Sequence, residues 1–233
     1  MLSFFIYSVK RQKIKIPNIN TTEFAEFYGI MLGDGCIYSN MSGICVAGHS
    51  VLDYMYHKNR LGLLIRILFG IEPKYYYSKD QKLIRTVVYS REVAKFFKEL
   101  GFPVGLKKES TLVIPSIFFS NKNILKSCIR GLYDTDGTIY HHKGAKSIIE
   151  ISITDLTLKE MTRKALELLG LNVKKTTKRV YLSGKEKTIN FFNEILPANP
   201  RHTIKFSYLL KGEKIPSSIE IENYIKQGKF NSI

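Results

Sequence analysis

Phe27-Tyr28-Gly29-Ile30-Met31-Leu32-Gly33-Asp34-Gly35 recurs 102 positions later as Ile129-Arg130-Gly131-Leu132-Tyr133-Asp134-Thr135-Asp136-Gly137. Each copy is an apolar helical run ending in a carboxylate and a glycine. Gly29 and Gly33 are four residues apart, as are Gly131 and Thr135, so the small residues of each copy share one helix face. A small face lets two helix backbones approach closely. Present twice in the same order, it predicts that the two helices pack on each other about a pseudo-twofold axis. Thr135, bulkier than glycine, is expected to loosen that contact slightly.

Asp34 and Asp136 sit where a helix ends, beside unpaired carbonyls at the negative end of the macrodipole, a place that disfavours a carboxylate by about 0.3–1 kcal/mol. Gly35 and Gly137 suit the left-handed residue that closes a helix. If the helices pair in parallel, two carboxylates and two sets of carbonyls converge in a pocket for protons or hard cations. Oxygen-only ligation suits Mg²⁺ or Ca²⁺, and paired metals support phosphodiester cleavage by stabilising the attacking and leaving oxygens. Asp134 has Leu32 as its counterpart, so a symmetric chemistry cannot depend on it. It is expected to be exposed or locally bonded.

Around these copies the order of elements repeats. Asn20-Thr21-Thr22-Glu23 reads as a helix start capped by Asn20. After the first copy come a hairpin about Met41-Ser42-Gly43, a helix over 53–69, strands near 71–78 and 82–89 turning at 79–81, and a helix over 91–100. Residues 101–120, with Pro103 and Pro115, read as a crossing segment. The second round is a helix over 121–135, strands over 138–142 and 147–154, a helix over 156–169, strands over 173–176 and 179–183, and a helix over 185–196. The expected divisions are an N-terminal arm (1–19), a first half (20–102), a linker (103–120), a second half (121–210) and a tail (211–233).

The 36 Lys and Arg residues against 20 Asp and Glu give a formal charge of +16. That excess points to a polyanionic partner such as nucleic acid. Cys36, Cys45 and Cys128 are three isolated thiols without a C-x-x-C pair, which argues against a zinc site or disulfide framework and for a reducing compartment. His141 and His142 lack the partners of a zinc site. The apolar start Met1–Tyr7 is too short to span a membrane, and its basic run follows rather than precedes it, unlike a signal peptide.

The two nine-residue copies resemble the motif of the LAGLIDADG homing endonucleases, and the element order resembles that family over roughly residues 20–205. The resemblance implies an α+β fold of two αββαββα halves forming a pseudo-dimer, with two antiparallel sheets making a saddle over the DNA major groove. It implies that Asp34 and Asp136, with the carbonyls of Gly33 and Thr135, hold divalent metal (Mg²⁺, with Mn²⁺ or Ca²⁺ able to take the same sites). A supporting catalytic lysine is matched by position to Lys107 and Lys205, with Lys108 an equal neighbour of the former. The implied activity is site-specific cleavage of both strands of a long asymmetric DNA target by a monomer, leaving staggered 3′ overhangs and promoting mobility of a host intron. Such a protein resides inside the cell with the genome that carries its gene. Related double-motif proteins imply a second possibility, a maturase that binds host intron RNA; a third is a DNA-binding regulator. The chain shows no flanking splicing blocks, so an intein-embedded enzyme is not expected.

Strand alternation sorts the sheet residues into faces. Ile37, Ile139, Ile149, Ile151 and Ile153 read as core-facing. The opposite, DNA-facing set is Tyr38, Asn40 and His49, with Lys74, Tyr76, Ser78 and Arg85 on the outer hairpin of the first half. In the second half it is Tyr140, His142, Glu150, Ser152, Lys174 and Arg179. Arg and Lys can read guanine edges and Asn adenine, while many other lysines are suited only to phosphates.

Overall fold

A computed structural model describes residues 14–78, 80–107, 111–142 and 146–227. The greater part of the N-terminal arm, Lys108 and the last residues of the tail lie outside the described residues. The first half runs α1 (Thr22–Asp34), β1 (Gly35–Ile37), β2 (Ile44–His49), a π-helical turn (Tyr56–Leu61) continuing into α2 (Gly62–Phe69), β3 (Lys74–Ser78), β4 (Leu83–Val88) and α3 (Arg91–Glu99). A 3₁₀ turn (Ser116–Ser120) leads into α4 (Lys122–Asp136), β5 (Gly137–His142), β6 (Lys146–Ser152), α5 (Leu156–Leu168), β7 (Lys174–Lys175), β8 (Arg179–Ser183) and α6 (Lys185–Ile195). Then come α7 (Pro200–Lys211) and α8 (Ser218–Lys226). The fold is α+β in two halves, with two antiparallel sheets ordered β1-β2-β4-β3 and β5-β6-β8-β7. The same strand order appears twice.

Local chemistry sets the ends. Thr21, one residue later than expected, caps α1 by accepting from Phe24 N at 3.2 Å, and Asn121 caps α4. Ser90 and Asp155 cap α3 and α5 through Val93 N and Leu158 N. The strand expected from residue 71 begins only at Lys74, after Pro73, which has no N–H to give a ladder. The helix expected over 53–69 opens as a turn and a π-helical stretch before becoming α-helical.

α1 and α4 form the most extensive contact between elements. Their packing is reciprocal. A Cβ on Gly29 would overlap the Cys128 carbonyl and lie 2.9 Å from Leu132 N; one on Gly131 would overlap the Glu26 carbonyl and lie 2.8 Å from Ile30 N. Residues 26 and 30 are the counterparts of 128 and 132, so the contact has the pseudo-twofold symmetry expected, with the helices parallel. Gly33 leaves the room that Thr135 fills: a Cβ there would lie 2.8 Å from Thr135 Cβ. The threonine turns its hydroxyl onto its own helix, donating to Leu132 O at 2.9 Å. Glycine on one side thus offsets the bulk on the other.

Gly35 and Gly137 are not left-handed. Their φ values are −83° and −85°, because each helix passes directly into a strand without a loop. What requires glycine is space: a Cβ on Gly35 would lie 2.5 Å from Met31 Cα, and one on Gly137 would overlap the Tyr133 ring and carbonyl. The left-handed closure is found instead at Gly70 (φ 69°), which ends α2.

Across the helix pair the symmetry breaks. Glu26 of α1, 1% exposed, accepts from Arg60 Nε at 2.6 Å and from Arg130 Nη1 at 3.2 Å. Arg130 also donates to Ile195 O at 3.0 Å. The bulky Arg130 of the second copy therefore reaches around the interface to a buried carboxylate on the other half. Removing that carboxylate would strand two guanidinium groups. Gly131→Val is expected to lower folding stability by about 3 kcal/mol, since neither backbone can yield, whereas Gly70→Asn, with open space and a side chain tolerant of that φ, costs far less; urea unfolding of the two variants measures the difference.

Candidate active site and nucleic-acid interface

α1 and α4 end side by side, and their terminal carboxylates converge. A Cβ on Gly33 would lie 3.2 Å from Asp136 Oδ2, so the second aspartate reaches across to the first helix. The carbonyls beside them are already bonded to cations. Lys107 Nζ donates to Met31 O, Leu32 O and Gly33 O at 2.8, 3.0 and 2.6 Å. On the other side, Arg201 Nη2 donates to Asp134 O at 3.1 Å and to Thr135 O. The residue facing Lys107 across the pseudo-twofold is thus Arg201, not Lys205. Lys205 is buried in α7, where its ammonium reaches Ser218 Oγ at 3.4 Å.

Arg201 belongs to a network that sequence spacing offers no means of assembling. Asp134 is fully buried, neither exposed nor locally bonded: its carboxylate accepts from Ala198 N and Asn199 N at 3.0 Å. Asn199 caps α7, and its amide donates to Asp134 O at 3.0 Å and to Asp53 Oδ1 at 2.8 Å. Arg201 Nη1 donates to Asp53 Oδ2 at 3.1 Å. Asp53 comes from the first half, and it also accepts from His49 N at 2.8 Å. One buried carboxylate of the first half therefore aims the guanidinium that covers the end of the second helix. Asn199-Pro200 is legible as a helix start, but its partners lie 65 and 146 positions away.

The residues read as DNA-facing do share a face. β2, β4 and β3 place Ala47 opposite Arg85 and Arg85 opposite Tyr76; Lys74 and Ser78 lie on the same side. Asn40, Lys74, Tyr76 and Arg85 are exposed, and Tyr38 is half-buried against Tyr89. His49 is otherwise employed: its Nδ1 accepts from Val51 N and Leu52 N at 3.3 Å, and its Nε2 lies 3.8 Å from Glu222 of α8. In the second sheet Arg179 donates to Glu150 Oε2 at 2.6 Å, and Tyr140 donates to the same oxygen at 2.8 Å. These three hold one another, while His142, Ser152 and Lys174 lie exposed on the surface.

The sequence pattern of the LAGLIDADG-like domain matches residues 123–196. That match covers most of the second half of the chain. Solved structures of similar fold include I-DmoI in complex with DNA and Mn, with a TM-score of 0.52 at 17% identity over 76% of this chain and 97% of that one. Full-length DUF199/WhiA from Thermatoga maritima has a TM-score of 0.53 at 15% identity over 92% of this chain and 69% of that one. A polypeptide of the A-type ATP synthase of Pyrococcus abyssi is 26% identical over 151 residues, 65% of this chain. The chain spans only 14% of that relative's length.

Within this LAGLIDADG fold the electrostatics of the acid pair follow chiefly from burial. Burial, and then the neighbouring Asp34, push the Asp136 carboxyl up to about 7 against the pull of Lys107 and Arg201. Asp34 is raised chiefly by burial and also by Asp53, opposed by Arg201 and Lys107. Burial lowers the Lys107 ammonium to about 8, although both aspartates favour its charge. Among the described residues no three His, Cys, Asp or Glu side chains gather as a metal site. A divalent cation held here would rest on two carboxylates, backbone carbonyls and water, an all-oxygen set that fits Mg²⁺.

No helix among the described residues is long and apolar enough to cross a membrane. Because folding raises the pKa of Asp136 from 3.8 to about 7, the folded chain binds that proton more tightly than the unfolded one. Its contribution to stability is complete below about pH 4 and is lost as the pH rises through 7. Thermal unfolding of Asp136→Asn is expected to show a flatter decline than the parent over that range, and Mg²⁺ is expected to recover stability in the parent above pH 7. An NMR titration is expected to find at least one of Asp34 and Asp136 above the ordinary value of about 3.9; both at or below it would refute close convergence.

Proposed function

We propose that this chain is a divalent-metal-dependent, site-specific DNA endonuclease that acts as a monomer and serves the mobility of its host intron. The observation that carries this reading is the convergence of Asp34 and Asp136 at the ends of two parallel helices, in a chain of net charge +16. I-DmoI, whose structure with DNA and Mn shares the fold, supports the partner and the metal. Asp34 with the Gly33 carbonyl, and Asp136 with the Thr135 carbonyl, would hold the ions. Bound Mg²⁺ supplies charge at the attacking and leaving oxygens of a phosphodiester. The protein's own contribution is placement. Gly29, Gly33, Gly131 and Thr135 set the spacing of the acids, and Lys107 and Arg201 hold positive charge where a phosphate would come to rest. Basic residues of the two sheets, Lys74, Arg85 and Lys174 among them, face a duplex laid along both halves. Two acid sites on opposite sides of a pseudo-twofold suit cleavage of both strands with staggered 3′ overhangs.

A second reading has a specific observation in its favour. Both carbonyls that would serve a metal are bonded to Lys107 and Arg201, which suits a regulator that binds DNA without cutting it. Incubation of the folded chain with Mg²⁺ and DNA spanning its own insertion site separates the two: double-strand cleavage supports the nuclease, and binding without metal or cleavage supports the regulator. If the nuclease reading holds, Asp34→Asn and Asp136→Asn are each expected to reduce double-strand cleavage roughly 10²- to 10³-fold while leaving DNA binding in place, as read by plasmid linearisation and gel shift.

A further inference from the structure

Two of the three thiols that look isolated in the sequence are brought together by the fold. Cys36 of β1 and Cys45 of β2 are directly opposed in the antiparallel ladder, between the pairs Gly35–Val46 and Ile37–Ile44. Directly opposed side chains share a face, so the two thiols lie side by side on one surface of the hairpin. The hairpin that brings them together is tight: Tyr38 N donates to Gly43 O at 3.0 Å, and Met41 takes a left-handed turn at φ 56°. Cys36 is half-buried, and Cys45 is 4% exposed. Cys128, by contrast, is fully buried in the α1–α4 interface.

We propose that Cys36 and Cys45 are a redox-active dithiol that a low-molecular-weight organic disulfide converts to a cross-strand disulfide beside Asp34. The accessible Cys36 sulfur attacks the oxidant, forming a mixed disulfide and releasing one thiol. The Cys45 sulfur then displaces the second thiol. Two S–H bonds are lost and one Sγ–Sγ bond forms; the oxidant's S–S bond is broken, and it leaves with both electrons and both protons as two thiols. The geometry permits the bond and strains it. Opposed residues have Cα atoms about 4.5–5.5 Å apart, inside the span of about 4.4–6.8 Å that a disulfide bridges. Their Cβ atoms, about 4.5–5.5 Å apart, must draw closer to reach the usual Cβ separation of about 3.8 Å. A strained bridge is readily reduced again, which suits a reversible switch rather than a staple.

The pull falls two residues after Asp34, at a helix end with no loop to absorb it. The second half has no such pair: the counterpart of Cys36 is Thr138, which faces Glu150. Oxidation therefore acts on one acid site and not the other. This consequence rests on the nuclease reading, while the dithiol itself does not.

The test uses the full chain treated with oxidised glutathione, followed by alkylation of free thiols. Chemical cleavage after methionine separates fragments 32–41 and 42–55, one cysteine in each. The expected result is that these two fragments remain joined, lighter by two hydrogens, and part on reduction, while Cys128 is alkylated only after unfolding. A Cys36 that stays as a mixed disulfide with glutathione, or both thiols still alkylatable after the treatment, would overturn the proposal. A Cys45→Ser chain is expected to accumulate the mixed disulfide at Cys36, and failure to do so also counts against it. With insertion-site plasmid and Mg²⁺, the oxidised chain is expected to nick where the reduced chain linearises. Bridging without that change overturns the link to Asp34; a reduced chain that cuts nothing defeats the nuclease reading and leaves the dithiol to stand on the fragment mapping.

Discussion

The close approach of α1 and α4 is the constraint on which the rest depends. Backbone meets backbone where Gly29 faces Cys128 and Leu132, and where Gly131 faces Glu26 and Ile30. Only at that separation do the two helix ends bring Asp34 and Asp136 into one crowded space. Burial in that space raises their proton affinity, against the opposing charges of Lys107 and Arg201. The site is thus a by-product of helix packing: carboxylates placed at the unfavourable end of a dipole are held there by the packed helices, with Lys107 and Arg201 as cationic neighbours.

Around that symmetric centre the supporting contacts differ between halves. On the α1 side a flexible lysine from the crossing segment covers the free carbonyls. On the α4 side a guanidinium covers them, itself braced by Asp53 and neighboured by Asn199. His57 and His202, both buried, stay neutral below their ordinary range, the former lowered to about 4 by burial and bonded to Thr86 at 2.7 Å.

The repeated nonamers make the two-fold plan legible because small residues at a spacing of four have a direct geometric meaning. The strand faces are legible for the same reason, since alternation in Ile149, Ile151 and Ile153 admits one burial pattern. What escapes is nonlocal. Asp134 reads as incidental because its first-copy counterpart is leucine, yet it is held by amides of the segment entering α7. Position along the chain favours Lys205 over Arg201, which lies one helical turn earlier on α7. Gly35 and Gly137 read as left-handed because glycine so often ends helices that way; here a direct helix-to-strand passage demands room instead. Cys36 and Cys45 look solitary because pairing depends on hairpin register, not on sequence spacing.

The last two helices change what kind of object the chain is. Glu222 of α8 pairs with Lys82 at 3.1 Å, and Ile204 and Ile221 pack with Leu52, so the end of the chain grips the first half. In a dimer of identical halves every substitution appears twice, and a change useful on one side is imposed on the other. Here α7 and α8, like the Glu26–Arg130 pair, exist once and span both halves. Each half can therefore drift on its own while the strap keeps them in register, and the two ends of any long ligand can be matched independently.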